Sequence, residues 1–122
     1  MFCVNPVYRI AEKLALKLGA NAIVDGSSIG QVASQTLSNI LITRYDVKMP
    51  ILSPLIGLDK QEITEIAKEI GTFEISKIDD GGCSAVPRYP LTHADLDNFK
   101  QSCKDMNQEI KIEKTFNNIK KL

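Results

Sequence analysis

Asp25-Gly-Ser-Ser-Ile-Gly-Gln-Val-Ala-Ser-Gln-Thr36 follows a short apolar run, Ala22-Ile23-Val24, and opens into a helix-like pattern. A strand that ends in Gly-Ser-Ser and turns into a helix presents free backbone N–H groups and a positive dipole end to whatever lies in front of it. At Gly26 no side chain stands in the way, so a ligand can approach the backbone. Gln31, Ser34 and Gln35 place further polar atoms on the first turns, and Gln35 offers both a donor and an acceptor, enough to read an adenine or ribose edge. This is the layout of a nucleotide or anion pocket at the carboxyl edge of a parallel sheet. Asp25 is the exception, since a carboxylate beside a phosphate is unfavourable unless it serves a ribose or a metal.

The other chemistry-bearing residues are sparse. Cys3, Cys83 and Cys103 are far apart and form no Cys-x-x-Cys pair, which speaks against a disulfide framework and against a zinc site. Cys83 follows Gly81-Gly82 in an accessible loop, where a thiolate could act as a nucleophile; the adjacent Asp79-Asp80 would raise its pKa unless they point away. Cys103 reads as a small buried hydrophobe on an amphipathic helix. His93, the single histidine, reads as a surface residue.

The elements that position these residues follow from periodicity. Pro6 to Leu18 has helical spacing, with Val7, Ile10, Ala11, Leu14 and Leu18 on one face, and Gly19 stops it. Ala22 to Asp25 is a short buried strand. Gly30 to about Thr43 is predicted as a helix that buries Val32, Ala33, Leu37, Ile40 and Leu41. Met49 to Ser53, interrupted by Pro50, is a second short strand. Asp59-Lys-Gln-Glu62 is a capping-box start, followed by an apolar stripe of Ile63, Ile66, Ala67 and Ile70 up to Gly71. Residues 72–91 lack periodicity and are predicted as one long loop around Cys83. Thr92 is predicted to cap a helix through about Cys103, and a polar helix follows from about Asn107 to Ile119. This order is α/β with a parallel sheet.

Composition narrows the classes. The 122 residues carry 15 basic and 15 acidic side chains, with 43% hydrophobic; they make one domain at most, with no bulk basic field to attract RNA. Residues 59–82 hold seven acidic and three basic side chains, which reads as a solvated helix face. No stretch is long and apolar enough to span a bilayer and no signal peptide is visible, so the expectation is a cytoplasmic protein without a membrane partner.

Taken together, Gly30-Gln-Val-Ala-Ser-Gln-Thr36, Pro54-Leu-Ile-Gly-Leu-Asp-Lys60, Ile70-Gly-Thr-Phe-Glu-Ile-Ser76 and Cys83 resemble the ThiI family from about Cys3 to about Pro90. These are tRNA 4-thiouridine synthetases whose catalytic domain is a PP-loop ATP pyrophosphatase. The resemblance implies a Rossmann-like PP-loop (adenine nucleotide alpha hydrolase-like) fold, with residues 1–122 as its C-terminal portion, a short parallel sheet flanked by helices. It implies ATP with Mg²⁺, with Gly26 and Gln35 at the nucleotide. It implies a sulfur-transfer role for Cys83, taking sulfur from a persulfide donor. Cys3 matches a second cysteine that can pair with the Cys83 position or hold an iron–sulfur cluster; here the further cysteine of that pattern is Pro6, and two thiolates fall short of the three or four a cluster wants.

No Ser-Gly-Gly-x-Asp-Ser type phosphate loop occurs in the chain, and the THUMP and rhodanese domains of the family have no counterpart in it. The expectation is a half-domain or fragment that needs a phosphate-loop polypeptide from elsewhere, meets tRNA through domains not contained here, and could self-associate. The implied activity is ATP-dependent sulfur transfer to uridine through adenylation. The alternative is a non-catalytic accessory paralogue that pairs with another chain through its open sheet edge.

Overall fold

The computed structural model describes residues 4–30, 35–78 and 93–119. The order is helix α1 (Val4–Leu18), strand β1 (Ile23–Val24), helix α2 (Leu37–Thr43), strand β2 (Ile51–Leu52), and helices α3 (Lys60–Glu69), α4 (Phe73–Ser76), α5 (Leu96–Asp105) and α6 (Gln108–Asn117). β1 and β2 pair in parallel, with Ile23 opposite Ile51 and Val24 opposite Leu52. The architecture is therefore the expected α/β one, helix-rich with a short parallel sheet.

α1 is the organising helix and packs against α2, β1 and α6. Gly19, at φ 72°, closes it in the left-handed region, where a Cβ is disfavoured. The apolar stripe expected on α1 is only partly covered, with Ile10, Ala11 and Leu14 half-buried. Val7 and Leu18 are exposed, while Asn5 and Ala15 are buried. The inward side is held largely by polar contacts. Asn5 Nδ2 donates to Thr43 O at 3.0 Å and Tyr45 O at 2.8 Å, satisfying carbonyls at the end of α2. Glu12 Oε1 accepts from Lys48 N and Met49 N at 2.7 and 2.8 Å, tying α1 to the approach to β2. Arg9 and Lys13 reach Glu109 and Glu113 on α6.

The second helix departs from expectation at both its start and its buried face. It begins at Leu37, with Thr36 as N-cap accepting from Asn39 N. Gly30 lies before it in the left-handed region at φ 79°, so it is a turn glycine, not a helical residue. Leu37 and Leu41 are exposed, and Asn39, Ile42 and Thr43 are buried; Val32 and Ala33 lie outside the described residues. The rotation follows from Asn39, whose Oδ1 accepts from Ala94 N at 3.1 Å, so a polar side chain takes an inward position that periodicity gives to leucine.

α3 begins as its sequence implies. Asp59 accepts from Gln61 N at 2.7 Å and Glu62 N at 2.9 Å, and Glu62 accepts from Asp59 N at 2.8 Å. None of its residues is buried. Part of the predicted 72–91 loop is in fact α4, a single turn packed on α3. α5 starts after Asp95, which accepts from Asn98 N at 2.8 Å. The expected cap at Thr92 is thus displaced to Asp95, an acidic N-cap of the preferred kind. Among the described residues the buried apolar side chains are Ala15, Ile42, Phe99 and Ile112, and Phe99 meets Tyr45 edge-on at 6.3 Å. On the sheet, Val24 and Leu52 share a face by register, and both are exposed.

The turn after the first strand as a candidate nucleotide-facing site

The chain leaves β1 into residues 25–30, which run alongside the segment that joins β2 to α3. Ser28 is buried, and its hydroxyl donates to Leu58 O at 2.8 Å. Ile29 N donates to Ile56 O at 3.1 Å. Gly30 N donates to Gln35 O at 3.2 Å, which sets Gln35 against the end of the turn. Two of the segments predicted from sequence, 25–36 and 54–60, thus meet.

Gly26 is exposed. A Cβ built there meets nothing within 4 Å among the described residues, and its φ is not positive. Neither packing nor backbone geometry within the described residues requires a glycine at this position. Gln35 is half-buried, with its carbonyl committed to Gly30. Cys3 and Cys83 lie outside the described residues.

Asp25 does not face outward as an isolated charge. Its Oδ1 accepts from Ser53 Oγ at 2.5 Å and Ser27 N at 3.2 Å; its Oδ2 accepts from Arg44 Nη2 at 2.9 Å, Ser27 Oγ at 3.0 Å and the Tyr8 hydroxyl. Burial alone would raise the Asp25 pKa. The bonds from Ser53, Tyr8 and Ser27 outweigh it and bring the carboxyl from 3.8 to about 2. Tyr8 moves the other way: burial first, then its bond to Asp25, push the phenol above its usual range. The sequence alone sets Asp25 beside a phosphate pocket, where a carboxylate is unfavourable unless it serves a ribose or a metal; the structure makes it the hub of four elements. Tyr8, Arg44 and Ser53 are partners that the sequence does not single out. The one available signal was Arg44, a cation just after an apolar helix, with no nearby acid in α2 to pair with it.

The helix-dipole expectation is also corrected. α2 begins at Leu37, not at Gly30, and its first turn is capped by its own Thr36. What the turn offers toward open space is its exposed backbone at Gly26, not a free helix end. Among the described residues, no group of three His, Cys, Asp or Glu could hold a metal ion. His93 is exposed, as expected of a surface residue. No helix of the described residues is long and apolar enough to cross a membrane.

Comparison with known proteins bears on this arrangement. The sequence model of the family described as Thiamine biosynthesis protein (ThiI) matches residues 1–108. A protein of Methanobrevibacter smithii named probable tRNA sulfurtransferase is 68% identical over 98% of this chain and 31% of its own length. One of Methanothermobacter thermautotrophicus with the same name is 52% identical over 95% of this chain and 30% of its own. The crystal structure of a 4-thiouridine synthetase–RNA complex with bound ATP superposes with a TM-score of 0.82 at 38% identity, covering 94% of this chain and 31% of that one. The chain thus spans less than a third of the length of these relatives and reproduces an α/β fragment of the 4-thiouridine synthetase fold. With the family model matched across residues 1–108, the chain belongs to the ThiI family.

Proposed function

We propose that residues 1–122 form the C-terminal portion of a PP-loop ATP pyrophosphatase domain that thiolates uridine in tRNA. Uridine O4 would attack the α-phosphorus of ATP with loss of pyrophosphate; the outer sulfur of a persulfide on Cys83 would then displace AMP at C4. The Cys3 thiolate would attack the Cys83 sulfur of the resulting mixed disulfide, breaking its S–S bond, releasing 4-thiouridine and leaving a Cys3–Cys83 disulfide for an external thiol to reduce. Gly26 would let the nucleotide approach the backbone after β1, and Gln35 would read an adenine or ribose edge. Cys83, with Cys3 as its pairing partner, would serve the sulfur step. The phosphate loop would be supplied from outside residues 1–122, and RNA would be held by further domains. Mg²⁺ would enter with ATP; no described residue is assigned to it.

The observation that carries this reading is the likeness to the 4-thiouridine synthetase solved with RNA and ATP, at a TM-score of 0.82 and 38% identity. Gly26 supports it, because the described chain itself gives no reason for a glycine there.

The test combines the chain with a polypeptide carrying the phosphate loop, tRNA, ATP and a persulfide donor. Pyrophosphate and 4-thiouridine are expected to form. Gln35→Ala should raise the KM for ATP, and Cys83→Ser should end thiolation while pyrophosphate release continues. If the chain adds nothing to the activity of the loop-bearing polypeptide, it is a non-catalytic accessory and the reading fails.

A further inference from the structure

Asp25 stands immediately before Gly26, so a nucleotide that comes up to the backbone at Gly26 comes up beside a carboxylate. An unbalanced negative charge there would repel a polyphosphate. The Asp25 side chain is not fully withdrawn, with 12% of its surface exposed, and Gly26 beside it is exposed. The carboxyl is also held well below the usual carboxylate range, so it carries its charge at neutral pH.

One cation answers that charge. Arg44 Nη2 donates to Asp25 Oδ2 at 2.9 Å and to the Ser53 hydroxyl, which itself donates to Asp25 Oδ1 at 2.5 Å. The guanidinium thus reaches both carboxylate oxygens, Oδ2 directly and Oδ1 through Ser53. The other donors to Asp25, from Tyr8 and Ser27, are neutral; they stabilise the carboxylate without cancelling its charge. Among the described residues no second cation pairs with Asp25. Arg44 has no competing acid either. It is the C-cap of α2, a helix without acidic residues. Asp46, two positions on, pairs with Arg9, and Glu12 on α1 accepts from Lys48 N and Met49 N.

We propose that Arg44 is a positioning residue for the nucleotide: by cancelling the charge of Asp25 it lets a polyphosphate lie against the Gly26 turn. The inference rests on the reading of that turn as a nucleotide site. Its consequence is specific to ligand charge. Without the guanidinium, the freed carboxylate penalises ATP most, AMP less and adenosine not at all. A turn that had merely loosened would weaken all of them alike.

The experiment combines the 122-residue chain with a polypeptide carrying the phosphate loop and measures the KM for ATP and inhibition by AMP and by adenosine. Arg44→Gln should raise the ATP KM at least ~5-fold relative to the adenosine inhibition constant, with AMP between them and kcat changed less than KM. Adding Asp25→Asn to Arg44→Gln should bring that ratio back to within ~2-fold of the parent, because the charge to be masked is gone. Arg44→Lys keeps the charge and should hold the ratio as well. Equal losses for ATP, AMP and adenosine, or a double variant no better than Arg44→Gln, would overturn the proposal and leave the pair as a structural tie. If Arg44→Gln does not fold, Asp25→Asn alone decides: it leaves the guanidinium unmatched and should tilt the ratio toward ATP, and an unchanged ratio would overturn the proposal. A parent assembly that makes no use of ATP refutes the nucleotide reading itself, and this inference with it. An active parent whose variants keep the parent ratio refutes this inference alone.

Discussion

Arg44 Nη2 lies 2.9 Å from Asp25 Oδ2, joining the carboxyl end of β1 to the C-cap of α2. The Asp25 side chain is only 12% exposed, and Ser53 brings the end of β2 into the same cluster. The turn that presents Gly26 is thus fixed from beneath by a carboxylate with five hydrogen bonds.

This arrangement makes stability depend on acid. The folded pKa of Asp25 is about 2 against an ordinary 3.8. Its stabilisation is therefore complete above the ordinary value and is lost as pH falls through that interval toward the folded one. The size is about 2 kcal/mol. Urea unfolding between pH 6 and about pH 2 should show the loss in the parent chain, and Asp25→Asn should flatten that part of the profile. A variant that retains the full acid-dependent decline would place the effect elsewhere.

Asn5 provides the second anchor. Asn5→Ala deletes two donors at a 1% exposed position and leaves the carbonyls of Thr43 and Tyr45 short of partners. A loss of about 2 kcal/mol is expected in chemical unfolding. Asn5→Asp should not rescue it, because a carboxylate cannot donate to those carbonyls.

The two glycines of the turn should behave oppositely. Gly26→Ala is expected to change the stability of the chain by less than about 0.5 kcal/mol, because the space around it is open. Gly30→Ala forces a Cβ into the left-handed region and should cost about 1 kcal/mol. When the chain is combined with a polypeptide carrying the phosphate loop, the proposed nucleotide role of Gly26 predicts the inverse order, with Gly26→Ala impairing ATP binding more than Gly30→Ala does. Isothermal unfolding paired with an ATP titration reads both.

α3 owes its order to its ends, since it buries no residue. Asp59→Ala removes both bonds from the cap to the first turn and should cost about 1 kcal/mol. Amide exchange should accelerate across Lys60–Glu69 while α1 and α6 stay protected. Uniform acceleration throughout the chain would show that α3 folds together with them.

The parts of the fold written in local chemistry were legible. Asp59 with Glu62, Gly19 and Gly71 mark helix ends through short-range geometry that a sequence states directly. Ile23 and Ile51 mark strands through apolar runs. What escaped was set by distant polar partners. Asn39 turns inward because Ala94, far along the chain, offers its N–H. Asn5 is buried for carbonyls at and just past the end of α2. Periodicity assigns inward positions to apolar residues and gives no weight to an amide that finds its acceptors only after folding. At the candidate site the same limit applied to Asp25: its type was visible, but its five donors come from Tyr8, Ser27, Arg44 and Ser53, most of them remote in sequence.

The bare pair formed by Val24 and Leu52 carries a practical consequence. Two neighbouring aliphatic side chains on a parallel ribbon, left facing water, give the free chain a tendency to stick to itself and to chaperones. Produced alone, it should scatter light at concentrations where a version co-produced with its complementing polypeptide stays clear. Solubility would then report assembly before any assay of thiolation does.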